Sequence, residues 1–207
     1  MTSPQDIVEV LLDRILAAPQ KGRRKLVALA GPPASGKTTL ARVLADQLTH
    51  AGCATKVVPM DGFHLDNCLL KPMGLLPRKG APDTFDAGGI LRLVQALSDV
   101  DRAFYPSFDR DQDLARAGAG MIDSECECVV VEGNYLLFDA PIWRDLHPLW
   151  DVSISLNVQP DILKQRLVQR WIDFGMPRNQ AEQRTLDNDM VNAQTIAKHA
   201  LPATITI

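Results

Sequence analysis

The chain has 207 residues, 46% of them hydrophobic and 23% charged, with a formal net charge of −3. That mild acidity argues against general binding to nucleic acid or an anionic membrane surface. No apolar run approaches the roughly 18 residues needed to span a bilayer, and residues 1–6 carry no basic region ahead of an apolar core, so the expected compartment is the cytoplasm. The four cysteines form no C-x-x-C pair and no histidines stand at zinc-ligand spacing, which argues against a disulfide framework or a structural metal.

Ser3, Pro4 and Asp6 make an N-cap signature. Ile7, Leu11 and Ile15, with Val8, Leu12 and Leu16, then give one apolar face to a helix of about four turns. The basic cluster Lys21, Arg23, Arg24 and Lys25 reads as cations complementing a helix end. Residues 25–30 predict the first strand, and Thr38 to His50 predict a helix with Leu40, Val43, Leu44 and Leu48 inward.

Between that strand and that helix stands Gly31-Pro-Pro-Ala-Ser-Gly-Lys-Thr38, the G-x-x-x-x-G-K-[ST] phosphate loop in its required context. Its glycines let backbone N–H groups turn inward around a polyphosphate, and the following helix presents its positive end to the same anion. Gly31, Pro32, Ala34, Ser35, Gly36, Lys37, Thr38 and Thr39 are the expected nucleotide contacts. Lys37 would reach the β- and γ-phosphates, and the Thr38 hydroxyl would ligate Mg²⁺. A nucleoside triphosphate is the implied ligand.

Strand two, 55–60, leads into Asp61. Residues 61–85 hold Pro, Gly and Lys without periodicity and read as a long functional loop. Asp86 caps a helix with Ile90, Leu93, Val94 and Leu97 inward. A second irregular stretch, 101–121, precedes a strongly apolar strand, 127–132, that ends in Glu132. Cys126 and Cys128 are expected on one face of that strand as small buried side chains. Residues 149–158 alternate Trp150, Val152, Ile154 and Leu156 as a strand with one buried face. Helix 161–174 carries Leu163, Leu167 and Trp171 on one side, a helical segment runs from about 179 to 199, and 203–207 is a last β-branched strand.

Strands alternating with helices indicate an α/β fold, a parallel sheet covered on both faces, in a single domain over 1–207. Ligands in such sheets bind outside the carboxyl ends of the strands, and Asp61 and Glu132 both stand at that edge beside the loop. Glu132 is placed to hold a metal's water shell. Asp61 is the candidate acceptor for a substrate hydroxyl proton, and a second candidate beside the metal. His64 lies near the same edge. Arg166 and Arg170, four apart on one helix face, could close over the γ-phosphate with Arg178 and Arg184 as a lid over about 164–184. Gly175 and Pro177 supply hinge chemistry there.

Five segments carry a family resemblance: 31–39, Met60-Asp-Gly-Phe-His-Leu-Asp66, Gly80-Ala-Pro-Asp-Thr-Phe-Asp86, Tyr105-Pro-Ser-Phe-Asp-Arg110 and Val131-Glu-Gly-Asn-Tyr-Leu-Leu137. Together they resemble the phosphoribulokinase/uridine kinase family of P-loop kinases, which includes bacterial pantothenate kinase. A further run, Arg184 to Asn192, is similar to a bacterial subgroup named for fructose-transport operons. The resemblance implies a three-layer fold with a five-stranded parallel sheet of order 2-3-1-4-5 and a small helical lid, ATP as donor, and a small hydroxyl compound as acceptor. It implies that Asp61 is the catalytic base. It also implies that Asp83, Tyr105, Phe108, Asp109 and Arg110 belong to acceptor-site loops spanning about 61–85 and 101–121. His64, Glu132 and Asn134, inside the same motifs, complete the candidate substrate-binding set, and Lys37, Arg166 and Arg170 join Asp61 as candidate catalytic residues. Gly80 stands where uridine kinases carry a ribose-binding Asp, and residues 79–86 look nearer the pantothenate kinase pattern.

The expected function is therefore an ATP- and Mg²⁺-dependent kinase for a small polar metabolite, with a sugar such as fructose as the leading acceptor. A nucleoside or pantothenate kinase is the alternative within the family, and a nucleotide-dependent regulatory ATPase the alternative outside it. Neither the Asn/Thr-Lys-x-Asp run of guanine-specific switches nor a transporter-ATPase signature is present. The expected partner is a small molecule, with room for a homodimer and none for nucleic acid or a membrane.

Overall fold

The computed structural model describes residues 4–207, so the N-cap expected at Ser3 lies outside the described residues. Its strands are β1 (Lys25–Ala30), β2 (Thr55–Pro59), β3 (Ala103–Asp109), β4 (Leu114–Ile122), β5 (Cys128–Gly133), β6 (Val152–Ser155) and β7 (Ile205–Thr206). Its helices are α1 (Pro4–Ala17), α2 (Lys37–His50), α3 (Asn67–Leu70), α4 (Ala87–Asp99), α5 (Pro160–Asp173), α6 (Arg178–Arg184) and α7 (Met190–Lys198). The last two are joined through a wide π turn, Thr185–Asp189. All strands except β3 and β4 form one sheet in the order β2-β5-β1-β6-β7, with every pair parallel. Counting only its own five strands, that order is 2-3-1-4-5, as the family resemblance implied.

Strand geometry explains the layers. Successive side chains point to opposite faces, so Val27, Leu29 and Val130 pack under α1 and α2 with Leu11, Ile15, Leu44 and Leu48. Leu26, Ala28, Val129 and Val131 face the other way, toward Ile90, Val94 and Leu97 of α4 and toward Trp143 and Trp150. β1 and β5 are buried along their whole length, the pattern of parallel strands covered on both faces. Among the described residues no helix is long and apolar enough to cross a membrane.

Two cations of the basic cluster, Arg24 and Lys25, cap helices as expected, while Arg23 pairs with Asp101 instead. Arg24 is fully buried, and its guanidinium donates to the carbonyls of Leu97 and Val100 at the end of α4 and to those of Asp101 and Asp123. Lys25 Nζ donates to the carbonyls of Ile15 and Leu16 in the last turns of α1. Each cation meets the orphan carbonyls and the negative dipole end of a helix.

Other expectations need correction. Val43 and Leu16 are exposed rather than inward; Ala41 and Ala45 take the buried positions of α2 instead. Cys126 and Cys128 do not share a face. Cys126 precedes the first residue of β5 and packs in the α4 layer, while Cys128 packs in the α1–α2 layer. The stretch 101–121 is no irregular loop but an antiparallel hairpin, β3 with β4, whose register shifts between Tyr105 and Ser107. Residues 61–85 contain α3 and three short 3₁₀ turns. The strand expected over 149–158 shortens to β6, and Leu149 instead closes a 3₁₀ segment over 143–149.

Candidate active site

Three strand ends bring the site together. In the sheet register Glu132 lies beside Leu29 of β1 and beside Pro59 of β2. The chain leaves β1 into the phosphate loop two residues after Leu29, and reaches Asp61 two residues after Pro59. Glu132 thus sits between the loop and Asp61 because parallel pairing aligns the three strands.

The loop's shape follows from two left-handed residues, Ala34 (φ 59°) and Gly36 (φ 95°). A Cβ at Gly36 would meet nothing within 4 Å, so backbone conformation rather than crowding requires glycine there. Helix α2 begins immediately after it with no side-chain cap and no acidic residue in its first turn. Its first N–H groups are therefore left for an anion. Ser35 Oγ is buried without a hydrogen-bond partner. Lys37 is 7% exposed and donates to the Pro32 carbonyl at 2.9 Å. Burial holds its pKa down to about 8, against the opposing pull of Glu132 and Asp61. Uncapped N–H groups, an orphan hydroxyl and a partly desolvated ammonium together fit a polyphosphate.

Thr38 Oγ1 donates to Glu132 Oε1 at 3.0 Å. Glu132 is 6% exposed; burial raises its pKa, opposed by the Lys37 charge. Asp61 lies in the 3₁₀ turn Met60–Phe63 and is ion-paired with Arg110 near the end of β3. His64 Nδ1 lies 2.8 Å from the Asp61 carbonyl. A carbonyl only accepts, so Nδ1 carries the proton and Nε2 is left as an acceptor. Burial lowers the His64 pKa, which keeps the ring neutral, packed between Phe85 and Phe108.

These groups open onto one cavity of about 890 Å³. Of the residues singled out from sequence, Ala34, Gly36, Lys37, Thr38 and Thr39 line it, as do Asp61, His64, Phe108, Arg110, Glu132, Asn134 and Arg170. Gly31, Pro32 and Ser35 shape the loop from behind. Arg184 lines it as well, and five others fall outside. Arg178, at the start of α6, pairs with Glu182 four residues on. Asp83 is exposed on the turn Pro82–Thr84. Tyr105 lays its ring over Gly120 of the facing strand, where a Cβ would strike it at 2.2 Å. Asp109 pairs with Arg116 and accepts the backbone N–H groups of Asp111 and Gln112, so it shapes the hairpin turn. Arg166 touches the Ala34 carbonyl from outside, at 3.3 Å.

Lys79, Asp113, Asp189 and Asn192 were assigned no role from sequence, yet all four line the cavity. The run Arg184 to Asn192 stood out only as a resemblance, and its chemistry depends on the π turn that no periodicity in the sequence announces.

The comparisons agree with this architecture. The AAA domain family, AAA_18, matches residues 27–186, which contain the loop, Asp61, Glu132 and the segment 164–184. The chain is 33% identical to the protein YggC of Escherichia coli K12, over 89% of this chain and 78% of that one. It is 32% identical to "Putative uridine kinase C227.14" of Schizosaccharomyces pombe, over 95% and 88% respectively. Among solved structures, the "putative fructose transport system kinase" from Silicibacter sp. TM1040 superimposes with a TM-score of 0.93 at 51% identity, covering both chains completely. With the phosphate loop, the 2-3-1-4-5 sheet and these relatives in agreement, the chain belongs to the P-loop kinase family of phosphoribulokinase and uridine kinase, enzymes that phosphorylate hydroxyl groups of small metabolites.

Proposed function

We propose that the protein transfers the γ-phosphoryl group of ATP to a hydroxyl of a small polar metabolite, with a sugar of fructose type as the leading acceptor. The observation that carries this reading is the meeting of Lys37, Glu132 and Asp61 at the rim of one cavity. The name of the 51% identical structure supports the sugar. Among the described residues no cluster of three His, Cys, Asp or Glu side chains could hold a metal alone. Mg²⁺ would therefore be held by the phosphates of the nucleotide and the Thr38 hydroxyl, with Glu132, which accepts from that hydroxyl, on its water shell. When bound, it neutralises charge on the phosphate oxygens.

The chain's own groups do the rest. The loop N–H groups and Lys37 fix the β- and γ-phosphates, and Arg170, close enough for its charge to act on Lys37, faces the transferred group. Asp61 takes the proton of the acceptor hydroxyl as the oxygen attacks. Arg110 orients that carboxylate by pairing with it.

ADP release tests the reading. Asp61→Asn should lower kcat by roughly 10²–10⁴ while the KM for ATP stays within about two-fold. An equal loss of nucleotide affinity would assign Asp61 to the metal instead. ADP release that proceeds at full rate without any metabolite would favour a regulatory ATPase.

A further inference from the structure

Two of the free cysteines meet at the amino-terminal edge of the sheet, away from the cavity. Cys53 follows the left-handed Gly52 just past the end of α2, and its N–H donates to the Leu48 carbonyl at 2.9 Å. Cys128 is the first residue of β5. Parallel pairing sets Cys128 beside Thr55. The Ala54 carbonyl, next to Cys53 in the chain, accepts the N–H groups of Glu127 and Cys128 at 2.8 and 3.1 Å. Both side chains turn into the α1–α2 layer, where the Cys128 thiol donates a hydrogen bond to the Cys53 sulfur. Glu132 stands four residues further along β5, so the pair lies about 13 Å from it. Neither cysteine lines the cavity.

The two sulfurs differ in the properties that govern oxidation. Cys53 is partly exposed, whereas Cys128 is fully buried. The bond from Cys128 lowers the Cys53 pKa against the opposing effect of burial; the Thr55 hydroxyl and the Lys25 charge add to the lowering, and the Glu127 charge opposes it. That same bond, with burial, raises the Cys128 pKa. Thiolate character and access decide which cysteine reacts, so Cys53 is the attacking sulfur and Cys128 its sheltered neighbour.

The other two cysteines lack this combination. Cys68 is exposed, but the Asp66 carboxylate that accepts its backbone N–H raises its thiol pKa. Cys126 is buried, and its thiol is occupied with the Cys128 carbonyl at 3.1 Å.

We propose that Cys53 and Cys128 form a peroxide-sensitive thiol pair, oxidised to an internal disulfide that ties the end of α2 to the start of β5. The Cys53 thiolate attacks one peroxide oxygen and the O–O bond breaks, leaving a sulfenic acid on Cys53 and a hydroxide that takes up a proton as water. The Cys128 sulfur then attacks the Cys53 sulfur. The S–S bond forms, the S–OH bond breaks, and the departing hydroxide leaves as water with the Cys128 proton. Two thiols lose two electrons in all, and one peroxide is reduced to two waters. At their other ends α2 carries Lys37 and Thr38, and β5 carries Glu132, so the bridge fastens together two elements that frame the phosphate site.

The test is to treat the reduced protein with a small excess of hydrogen peroxide and map its peptides without reduction. The protein should lose two hydrogens and yield one peptide linking Cys53 to Cys128, released by dithiothreitol. Cys53→Ser should form no bridge. Cys128→Ala should instead hold a sulfenic acid on Cys53 that dimedone traps. In the reduced wild-type protein at pH 7, iodoacetamide should alkylate Cys53 about ten-fold faster than the more exposed Cys68. A bridge through Cys68 or Cys126 overturns the proposal. So does oxidation of Cys68 ahead of Cys53, or the absence of the Cys53–Cys128 peptide at a peroxide dose that oxidises Cys68. These outcomes are read on the wild-type chain and stand whether or not either variant folds.

Discussion

Lys37 shows how a single residue is held at a cost to the fold. The ammonium is buried, so its pKa sits at about 8 against 10.5 for the free side chain. Between those values the unfolded chain binds more protons than the folded one, and stability rises with pH. Below about pH 8 the full cost is present. Lys37→Met should therefore raise the Tm at pH 7, by an amount on the order of 1–3 kcal/mol of unfolding free energy, while abolishing nucleotide turnover. The gap between variant and wild type should narrow from pH 8 toward pH 10. Thermal unfolding at several pH values measures this, and a variant less stable than wild type at pH 7 would contradict the burial argument. The same residue thus links sequence spacing, local electrostatics and function, since the cost is recovered only when a polyphosphate arrives.

At the scale of elements, the turn that carries Asp61 is clamped against the hairpin. A Cβ added at Gly62 would lie 2.2 Å from the Pro106 carbonyl oxygen of β3, so an alanine there must push the turn and the hairpin apart. Gly62→Ala should lower kcat by about 10–100-fold through misplacement of Asp61, with a much smaller change in ATP affinity; steady-state kinetics separate the two. Such a contact is not written locally in the chain. β1 and β5 were legible because strands buried on both faces read as continuous apolar runs. The hairpin was not: β4 is Leu-Ala-Arg-Ala-Gly-Ala-Gly-Met-Ile, mostly exposed and rich in small residues, and Phe104 on β3 is 61% exposed. Without a buried face there is no period-2 signal to find. The site divides the same way. Lys37, Asp61 and Glu132 were legible because a fixed spacing follows or ends a strand. Asp83, Tyr105 and Asp109 were singled out by motif position alone, and position does not say which way a side chain turns once a bulge separates Tyr105 from Ser107. Asp189 and Asn192 depend on the π turn, a tertiary outcome invisible in the pattern.

For the whole molecule, the cavity is the place where distant parts of the chain meet. The phosphate loop, the β3 end of the hairpin, the turn at Lys79 and Gly80, and the α5–α7 region each supply part of its wall. Leu163 and Leu167 of α5 pack with Ala193 of α7 and against Ala34 of the loop, and Arg78 reaches Asn192 from the far side at 2.9 Å. A ligand gripping this cavity contacts walls that are separate in sequence, so its binding free energy is added to the unfolding free energy of the domain. At 100 times its Kd, MgAMP-PNP should stabilise the protein by about 2.7 kcal/mol, which for a chain of this size is a rise in Tm of roughly 5–10 °C. Asp61→Asn should keep most of that rise, because the carboxylate's proposed work is on the acceptor. Lys37→Met should lose most of it despite its higher starting Tm, since its resting stability and its response to nucleotide depend on the same ammonium with opposite sign. Thermal scans of the three proteins with and without nucleotide decide this, and a full shift in Lys37→Met would mean that the triphosphate is held elsewhere in the cavity.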